Sequence, residues 1–497
     1  MEASAPDGCQ PQASPGRGPR TVWIDPVTRI EGHARISLRL DGRGRLVDAR
    51  FHVLEFRGFE AFCVGRPFRE MPGLTARICG ICPVSHLLAS AFTGDQLLAV
   101  NVPPAAVLLR RVLNLAQILQ SHALSFFHLS SPDLLLGAQV PPSQRSIVGL
   151  IAADPALAQA GIRLRGFGQS IIEHLAGRRL HAAWVVPGGV RTPLPAATRD
   201  RILAGLPEAR RTVALALERF KVQLDGPLAV EQHRMGWFPS LFLAMVAADG
   251  TWEHLGGALQ VVDAAGAVLA DGLDGAAALR LLGEAVEPWT YLKFPYYRPM
   301  GYPDGLYRVG PLARLNVCDR IGTAWADREL VEFRQRYGRV ALSSFGYHLA
   351  RLVELVACLE GIERLLADPV VLDPLVQARA GLNARSAVGM GEAPRGTLFH
   401  HYQVDGNGLL EQMNLLIATG QNNLAMNRTI AQLARALLPD PVPADAEIPE
   451  PLLNRIEAGI RCFDPCLSCS THAAGSMPLQ LRLIAADGRV LAERQRP

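Results

Sequence analysis

Two cysteine pairs, one near each end of the chain, constrain this fold more than any other feature. The first lies in Arg77-Ile-Cys79-Gly80-Ile-Cys82-Pro-Val-Ser-His86 and the second in Asp464-Pro465-Cys466-Leu-Ser-Cys469-Ser-Thr-His472. A C-x-x-C pair offers two thiolates to one metal from a single short loop. The four sulfurs can meet only if most of the 497 residues lie between them and fold so as to close the two ends together. A metal centre of that kind is a product of the whole fold and not of a local finger.

Spacing alone leaves several readings. A tetrahedral Cys₄ zinc site ordinarily closes a compact, loop-rich module, and the separation of the pairs argues against a small ribbon. A thioredoxin-type redox pair needs a βαβ setting that neither flank supplies. A structural disulfide is disfavoured because the N-terminal residues show no export signal. A buried transition metal on thiolates and a structural zinc both remain, and spacing does not separate them.

The residues around the pairs go further. R-x-C-G-x-C-x-x-x-H, followed far downstream by D-P-C-x-x-C-x-x-H, resembles the signature pair of the large subunit of nickel–iron hydrogenases. The resemblance extends to Asp25-Pro-Val-Thr-Arg29-Ile-Glu31-Gly32-His33, to Phe56-Arg57-Gly58-Phe59-Glu60 and to Gly391-Glu392-Ala393-Pro394-Arg395-Gly396. The stretch from Tyr291-Leu-Lys-Phe-Pro to Arg308-Val-Gly-Pro-Leu-Ala-Arg314-Leu-Asn316 is most similar to the cytoplasmic, bidirectional, NAD-linked branch. Coverage runs from about Trp23 to the C-terminus.

The resemblance implies a catalytic subunit that cleaves dihydrogen heterolytically, which needs a Lewis acid to polarise the bond and a base to take the proton. It implies that Cys82 and Cys469 bridge nickel and iron, that Cys79 and Cys466 are terminal on nickel, and that iron also carries cyanide and carbon monoxide. The Cys466 thiolate is the implied proton acceptor. Arg395 would project its guanidinium toward the open face of the metals, held by Asp133 and Asp464 through charge-assisted hydrogen bonds. Glu31 matches a proton-gate position, and a carboxyl near Cys466 is the simplest relay out of a dry interior. His86 would hydrogen-bond a bridging sulfur. His472 would bind a separate hard cation, magnesium or iron, together with Glu60 and the carbonyl of Leu415.

Each of these has a plainer reading. Arg395 could form a surface salt bridge, Asp133 could start a turn, Asp464 could cap a helix, and Glu31 could be an exposed carboxylate. His33 and His128 read as structural histidines. The rival functions are a zinc-stapled scaffold and an inactive relative of the kind found in respiratory complex I. Relatives of that second kind lose the cysteines, and all four are present here.

The partners follow from the same comparison. No iron–sulfur motif exists beyond the two pairs, so electrons would leave through a small iron–sulfur subunit, with a diaphorase module binding FMN and NAD beyond it. The glycines of Gly161-Ile-Arg-Leu-Arg-Gly166-Phe-Gly168 do not spell G-x-G-x-x-G and follow no apolar strand, so a nucleotide site belongs to another polypeptide. In the resembled family a maturation endopeptidase trims the chain after the terminal histidine. Residues 473–497 therefore read as an extension removed on maturation, and 21–472 as the large-subunit domain.

Composition excludes other classes. Charged residues are 19% of the chain, below the usual ~25%, and apolar residues 49%, which suggests a large core and surface covered by another subunit. Net charge is +4 with acids and bases interspersed, so no nucleic-acid footprint appears. Gly236 to Ala248 is too short to cross a membrane, and the uncharged Val112 to Pro132 carries enough polar residues to read as a buried helix. Residues 1–20 read as a disordered tail holding Cys9. Cys63, Cys318, Cys358 and Cys462 read as buried thiols, and the protein as cytoplasmic.

Residues 34–54 alternate around Asp41-Gly42-Arg43-Gly44, a hairpin signal. Helical periodicity runs over 105–127, 156–174, 197–224, 324–366 and 421–438, with small sheets expected at 180–190 and 399–418. The expected class is α+β, mostly helical, with a long-helix bundle and both cysteine loops at one end of it.

Overall fold

The computed structural model describes residues 18–137, 140–443, 446–471, 479–485 and 489–496. Four long helices, Pro104–Leu124, Pro155–Ala176, Ala196–Asp225 and Gly346–Ala367, pack against one another as the central bundle. The Gly346–Ala367 helix is surrounded and buried on most of its faces, with Leu349, Leu352, Val353, Val356 and Leu359 in the core beside the buried polar His348, Arg351 and Glu354. The glycines in the Pro155–Ala176 helix serve its packing. A Cβ on Gly161 would lie 2.4 Å from the Phe127 ring, and one on Gly168 would lie 2.8 Å from the Gln120 Cβ. Small residues there let two helix backbones approach.

The expected helix over 324–366 is two helices, Ala324–Tyr337 and Gly346–Ala367. Gly338 takes a left-handed φ of 85° and ends the first, as a C-terminal glycine does. Buried polar side chains hold the link: Asn316 donates to the Ala341 carbonyl at 3.0 Å and Arg308 to the Leu342 carbonyl at 2.7 Å.

An antiparallel sheet of Arg20–Ile24, Ala34–Leu40 and Leu46–Val53 contains the predicted hairpin. Asp41 Oδ1 accepts from the backbone of Arg43 at 2.8 Å and of Arg45 at 2.9 Å, and Gly44 sits at φ 82°. A second antiparallel sheet, Ser386–Ala393, Gly396–Val404 and Leu410–Leu416, lies over the helix Pro83–Leu98. The region expected at 180–190 contributes only the short pair Val185–Val186 and Gly189–Val190.

A four-stranded sheet, ordered Tyr307–Arg308, Leu241–Val246, Ala258–Val262, Val268–Leu273, was not foreseen. Its strand Leu241–Val246 lies within the apolar stretch from Gly236 to Ala248. All six residues are buried, so the strand reads as a continuous apolar run without alternation. Among the described residues no helix is long and apolar enough to cross a membrane.

Candidate metal centre

The first cysteine loop is set by the helix that follows it. Cys82 is the N-cap of Pro83–Leu98, whose leading proline suits a first helical turn. Gln117 and Gln120, one turn apart on Pro104–Leu124, both donate to the Ile81 carbonyl, at 2.7 and 2.6 Å. The second loop follows the helix Glu450–Arg461. Asp464 adopts a left-handed φ of 51° before Pro465 and turns the chain, after which Cys466 is extended and caps the short helix Leu467–Ser470. Cys466 forms a parallel bridge with Glu31, and the Leu467 N–H donates to the Glu31 carbonyl at 3.1 Å. Gly32 permits this approach, since a Cβ there would stand 2.7 Å from the Leu467 Cβ.

The sulfurs of Cys79, Cys82, Cys466 and Cys469 all lie within 4.8 Å of one another. Cys79 is 3.2 Å from Cys466, Cys82 is 3.2 Å from Cys469, and Cys466 is 3.0 Å from Cys469. All four are buried. Burial pushes the Cys466 and Cys469 thiols far up, and the neighbouring sulfurs add to it at Cys466. Hydrogen bonds from Cys466, Cys469 and Cys82 bring the Cys79 thiol well down. Four sulfurs brought this close in so dry a space form a donor set that suits soft metal ions.

Arg395 sits at the two-residue turn joining the strands that end at Ala393 and begin at Gly396. Arg314 pins that turn. It binds Glu354 at 2.5 and 2.6 Å and Glu392 at 2.7 Å, and donates to the carbonyls of Ala393 at 3.0 Å and Pro394 at 3.3 Å. Arg395 Nε donates to the Asp464 carbonyl, and Nη2 lies 3.2 Å from Asp464 Oδ2. Burial opposes the Arg395 charge, but the Asp464 carboxylate and the Cys466, Cys82 and Cys79 sulfurs hold it protonated more firmly than usual. A small cavity lies among Cys82, Ser85, His86, Arg395, Cys466 and Cys469. Two buried donors beside it, Arg395 Nη1 and Ser85 Oγ, have no hydrogen-bond partner among the described residues. A metal group bearing small acceptor ligands fits that arrangement.

Glu31 is half-buried, and its carboxylate accepts from the Ser468 N–H at 2.9 Å and from the Ser468 hydroxyl. His86 Nε2 lies 3.4 Å from Cys469 Sγ. Glu60 accepts from the Leu415 N–H at 2.7 Å, and burial pushes its carboxyl up to about 7. His472 lies outside the described residues. His33 pairs on the surface with Glu55 at 2.5 Å. Cys462 is buried apart from the four ligands, its sulfur 3.6 Å from Met235 Sδ.

Asp133 is a correction. It does not hold Arg395; it accepts from Arg29 at 2.5 Å, Arg461 at 2.8 Å and Asn454 at 3.1 Å. It lies on the π-helical turns that follow Leu124, where wider turns face it toward the helix Glu450–Arg461. Arg29 and Arg461 meet at the Asp133 carboxylate, Arg461 also pairing with Glu457 at 2.7 Å, while Asp464 serves Arg395. Thr419, whose hydroxyl accepts from the Cys466 N–H at 3.0 Å, and the two glutamines on Ile81 went unnoticed in the sequence. Nothing local distinguishes them from ordinary core polar residues.

Residues 57–139 and 282–472 match the family described as nickel-dependent hydrogenase, and residues 21–56 match the HoxL-like description. The beta subunit of the NAD-reducing hydrogenase HoxS of Cupriavidus necator is 39% identical over 96% of this chain and 100% of its own length. The chain belongs to the nickel–iron hydrogenase large-subunit family. An F420-non-reducing hydrogenase subunit of Methanothermobacter thermautotrophicus is 38% identical, over 94% of this chain and 97% of its own. A crystal structure of an NAD⁺-reducing NiFe-hydrogenase in the H2-reduced state superposes with a TM-score of 0.87 at 45% identity, covering 91% of this chain and 99% of that one. The Ni-Fe-Se hydrogenase of D. vulgaris Hildenborough, at 24% identity and a TM-score of 0.73, covers 92% of this chain and 100% of its own and shares the fold. This nickel–iron hydrogenase subunit is therefore catalytic, and its four clustered cysteines are a group that could hold a metal ion.

Proposed function

We propose that this hydrogenase cleaves dihydrogen reversibly and heterolytically. Its electrons would pass through a small iron–sulfur subunit to NAD, by way of a diaphorase module binding FMN. The observation that carries the chemistry is the set of four buried thiols from both chain ends beneath Arg395. The acceptor is argued from relatives whose names say NAD-reducing. Cys82 and Cys469 would bridge nickel and iron, Cys79 and Cys466 would hold nickel alone, and iron would carry cyanide and carbon monoxide. When bound, that pair would supply Lewis acidity toward dihydrogen and a path for two electrons.

The chain's own residues do the rest. Cys466 takes the proton at its sulfur. Glu31, bridged to Cys466 and fixed on Ser468, receives it and hands it outward. Arg395, held by Asp464, keeps a positive charge beside the cluster, and its Nη1, without a hydrogen-bond partner among the described residues, would be free to donate to a small acceptor bound there. Asp133 serves the scaffold. Glu60, the Leu415 carbonyl and His472 would bind magnesium, or iron, beside the C-terminal segment. A maturation endopeptidase would remove residues 473–497, and the assembly would work in the cytoplasm.

Elemental analysis of the purified complex tests the metals: about one nickel and at least one iron per chain are expected, with dihydrogen-dependent reduction of NAD. Zinc alone in the four-cysteine site would overturn the reading.

A further inference from the structure

One helix meets both loops that carry the Arg395–Asp464 pair. Tyr347, Arg351 and Glu354 stand at i, i+4 and i+7 of the helix Gly346–Ala367, so they share one face. All three are at most 1% exposed. On the Asp464 side, the Tyr347 ring packs on Phe463 with centroids 5.0 Å apart, and Arg351 Nη2 donates to the Cys462 carbonyl. On the Arg395 side, Glu354 accepts from Arg314 Nε and Nη2 at 2.5 and 2.6 Å, and Arg314 donates onward to the carbonyls of Ala393 and Pro394. The Tyr347 hydroxyl donates to the Val309 carbonyl at 2.7 Å. The next residue, Gly310, lies against the Arg395 backbone, since a Cβ there would stand 2.5 Å from the Arg395 carbonyl oxygen.

Neither loop is fixed by its own chemistry. Arg395 occupies a two-residue turn, and Asp464 holds a left-handed φ of 51°, which an aspartate adopts at a cost. The 3.2 Å approach of Arg395 Nη2 to Asp464 Oδ2 therefore depends on what holds each backbone from behind. Packing alone asks for apolar residues in this core, and Leu352, Val353, Leu355 and Val356 supply them. Burying a guanidinium and a carboxylate beside them costs desolvation that an apolar pair would avoid. What the charged groups add is direction, because hydrogen bonds to named carbonyls fix a loop where dispersion contacts let it slide.

We propose that Tyr347, Arg351 and Glu354 are positioning residues that set the Arg395–Asp464 pair beside the four sulfurs. They act through the two loops and not on the sulfurs themselves. A misplacement of ~1 Å in such a group costs on the order of 10²-fold in rate, so the template matters to turnover without touching the reacting atoms. The inference rests on the nickel–iron reading above.

Arg351→Met, Arg351→Lys, Glu354→Gln and Tyr347→Phe test it in the whole complex, each in the wild-type and in an Arg395→Lys background. Nickel and iron content, melting temperature, the infrared bands of the iron's diatomic ligands and dihydrogen–deuterium exchange are measured. Arg351→Met and Glu354→Gln are expected to keep both metals, displace the bands and slow exchange roughly tenfold or more. Arg351→Lys, which retains a donor for the Cys462 carbonyl, is expected to stay near wild type. In the Arg395→Lys background the same substitutions should leave the bands where Arg395→Lys alone puts them, because the group they position is gone. Wild-type bands or wild-type exchange in either Arg351→Met or Glu354→Gln would reduce the stripe to packing and overturn the proposal. Displacements that persist in the Arg395→Lys background, equal effects of Arg351→Met and Arg351→Lys, or metal loss from either shape-preserving variant would overturn it too. Should Arg351→Met and Glu354→Gln not assemble, Tyr347→Phe decides: displaced bands uphold the proposal and wild-type bands end it. A wild-type complex without nickel would sink the metal reading instead.

Discussion

Glu31 and Cys466 are joined as adjacent backbone segments, although almost the whole chain separates them in sequence. The Leu467 N–H closes on the Glu31 carbonyl at 3.1 Å and the Ser468 N–H on its carboxylate at 2.9 Å. The carboxyl beside the proposed proton acceptor is thus held by the same loop that supplies the sulfur.

That pairing makes Glu31→Gln a clean test. The amide keeps one of the two oxygens that accept from Ser468 and removes the exchangeable acid. Metal content is expected to hold while dihydrogen–deuterium exchange falls by ~10²-fold or more. Unaltered exchange would move the relay elsewhere, with Arg395 the next suspect.

Cys466→Ser is expected to abolish dihydrogen turnover and nickel retention while circular dichroism still shows the folded bundle. Cys462→Ala is expected to keep turnover, at a cost of about 1 kcal/mol in stability for the small cavity left in the core. Complete loss of activity in Cys462→Ala would mean the ligand set is wrong.

Asp133→Ala would leave Arg29 and the fully buried Arg461 without their shared carboxylate. Breaking such a cluster from one side costs about 3–5 kcal/mol, read as a lower melting temperature of the complex. Lost turnover at an unchanged melting temperature would return Asp133 to the catalytic group.

His52 supplies a pH dependence. It is buried between Ser37 Oγ, at 2.7 Å, and the Trp289 carbonyl, at 2.9 Å. Burial lowers its pKa to about 4 from 6.5. Between those values the unfolded chain binds the extra proton and the folded one does not, so stability rises with pH through the window and is lost as pH falls from about 6.5 toward 4. The contribution is on the order of 1–3 kcal/mol. His52→Gln should flatten that part of the melting-temperature profile; an unchanged acid slope would assign it to other groups.

The mature chain is expected to end at His472. Intact mass of active enzyme should show the loss of residues 473–497, and nickel-starved cells should accumulate the longer form. Fully active enzyme retaining Pro497 would defeat the maturation argument and leave the hydrogenase assignment standing. A cleaved chain gives His472 a free carboxylate close to its proposed cation.

The local features were legible because short-range chemistry makes them. The Asp41–Gly44 turn follows from an aspartate that caps its own loop and a glycine at positive φ. The bundle helices show their 3.6-residue stripes. The break at Gly338 was missed because the apolar period carries across it, and the loop is held by Asn316 and Arg308 from elsewhere. The strand Leu241–Val246 was missed because burial on both faces erases alternation.

The cysteine pairs and the motifs around them determined, from sequence alone, the family and the four sulfurs that meet in the fold. Long-range packing decided the rest. Whether Asp133 meets Arg395 or the Arg29–Arg461 pair depends on how the helix Glu450–Arg461 docks, because that helix carries Arg461 and Asn454 to the carboxylate. Tyr347, Arg351 and Glu354 reach both loops of the Arg395–Asp464 pair because their helix docks against both. Their spacing marks a helix face but not its partners, since hydrogen-bond partners are chosen by proximity in the folded core and not by spacing along the chain.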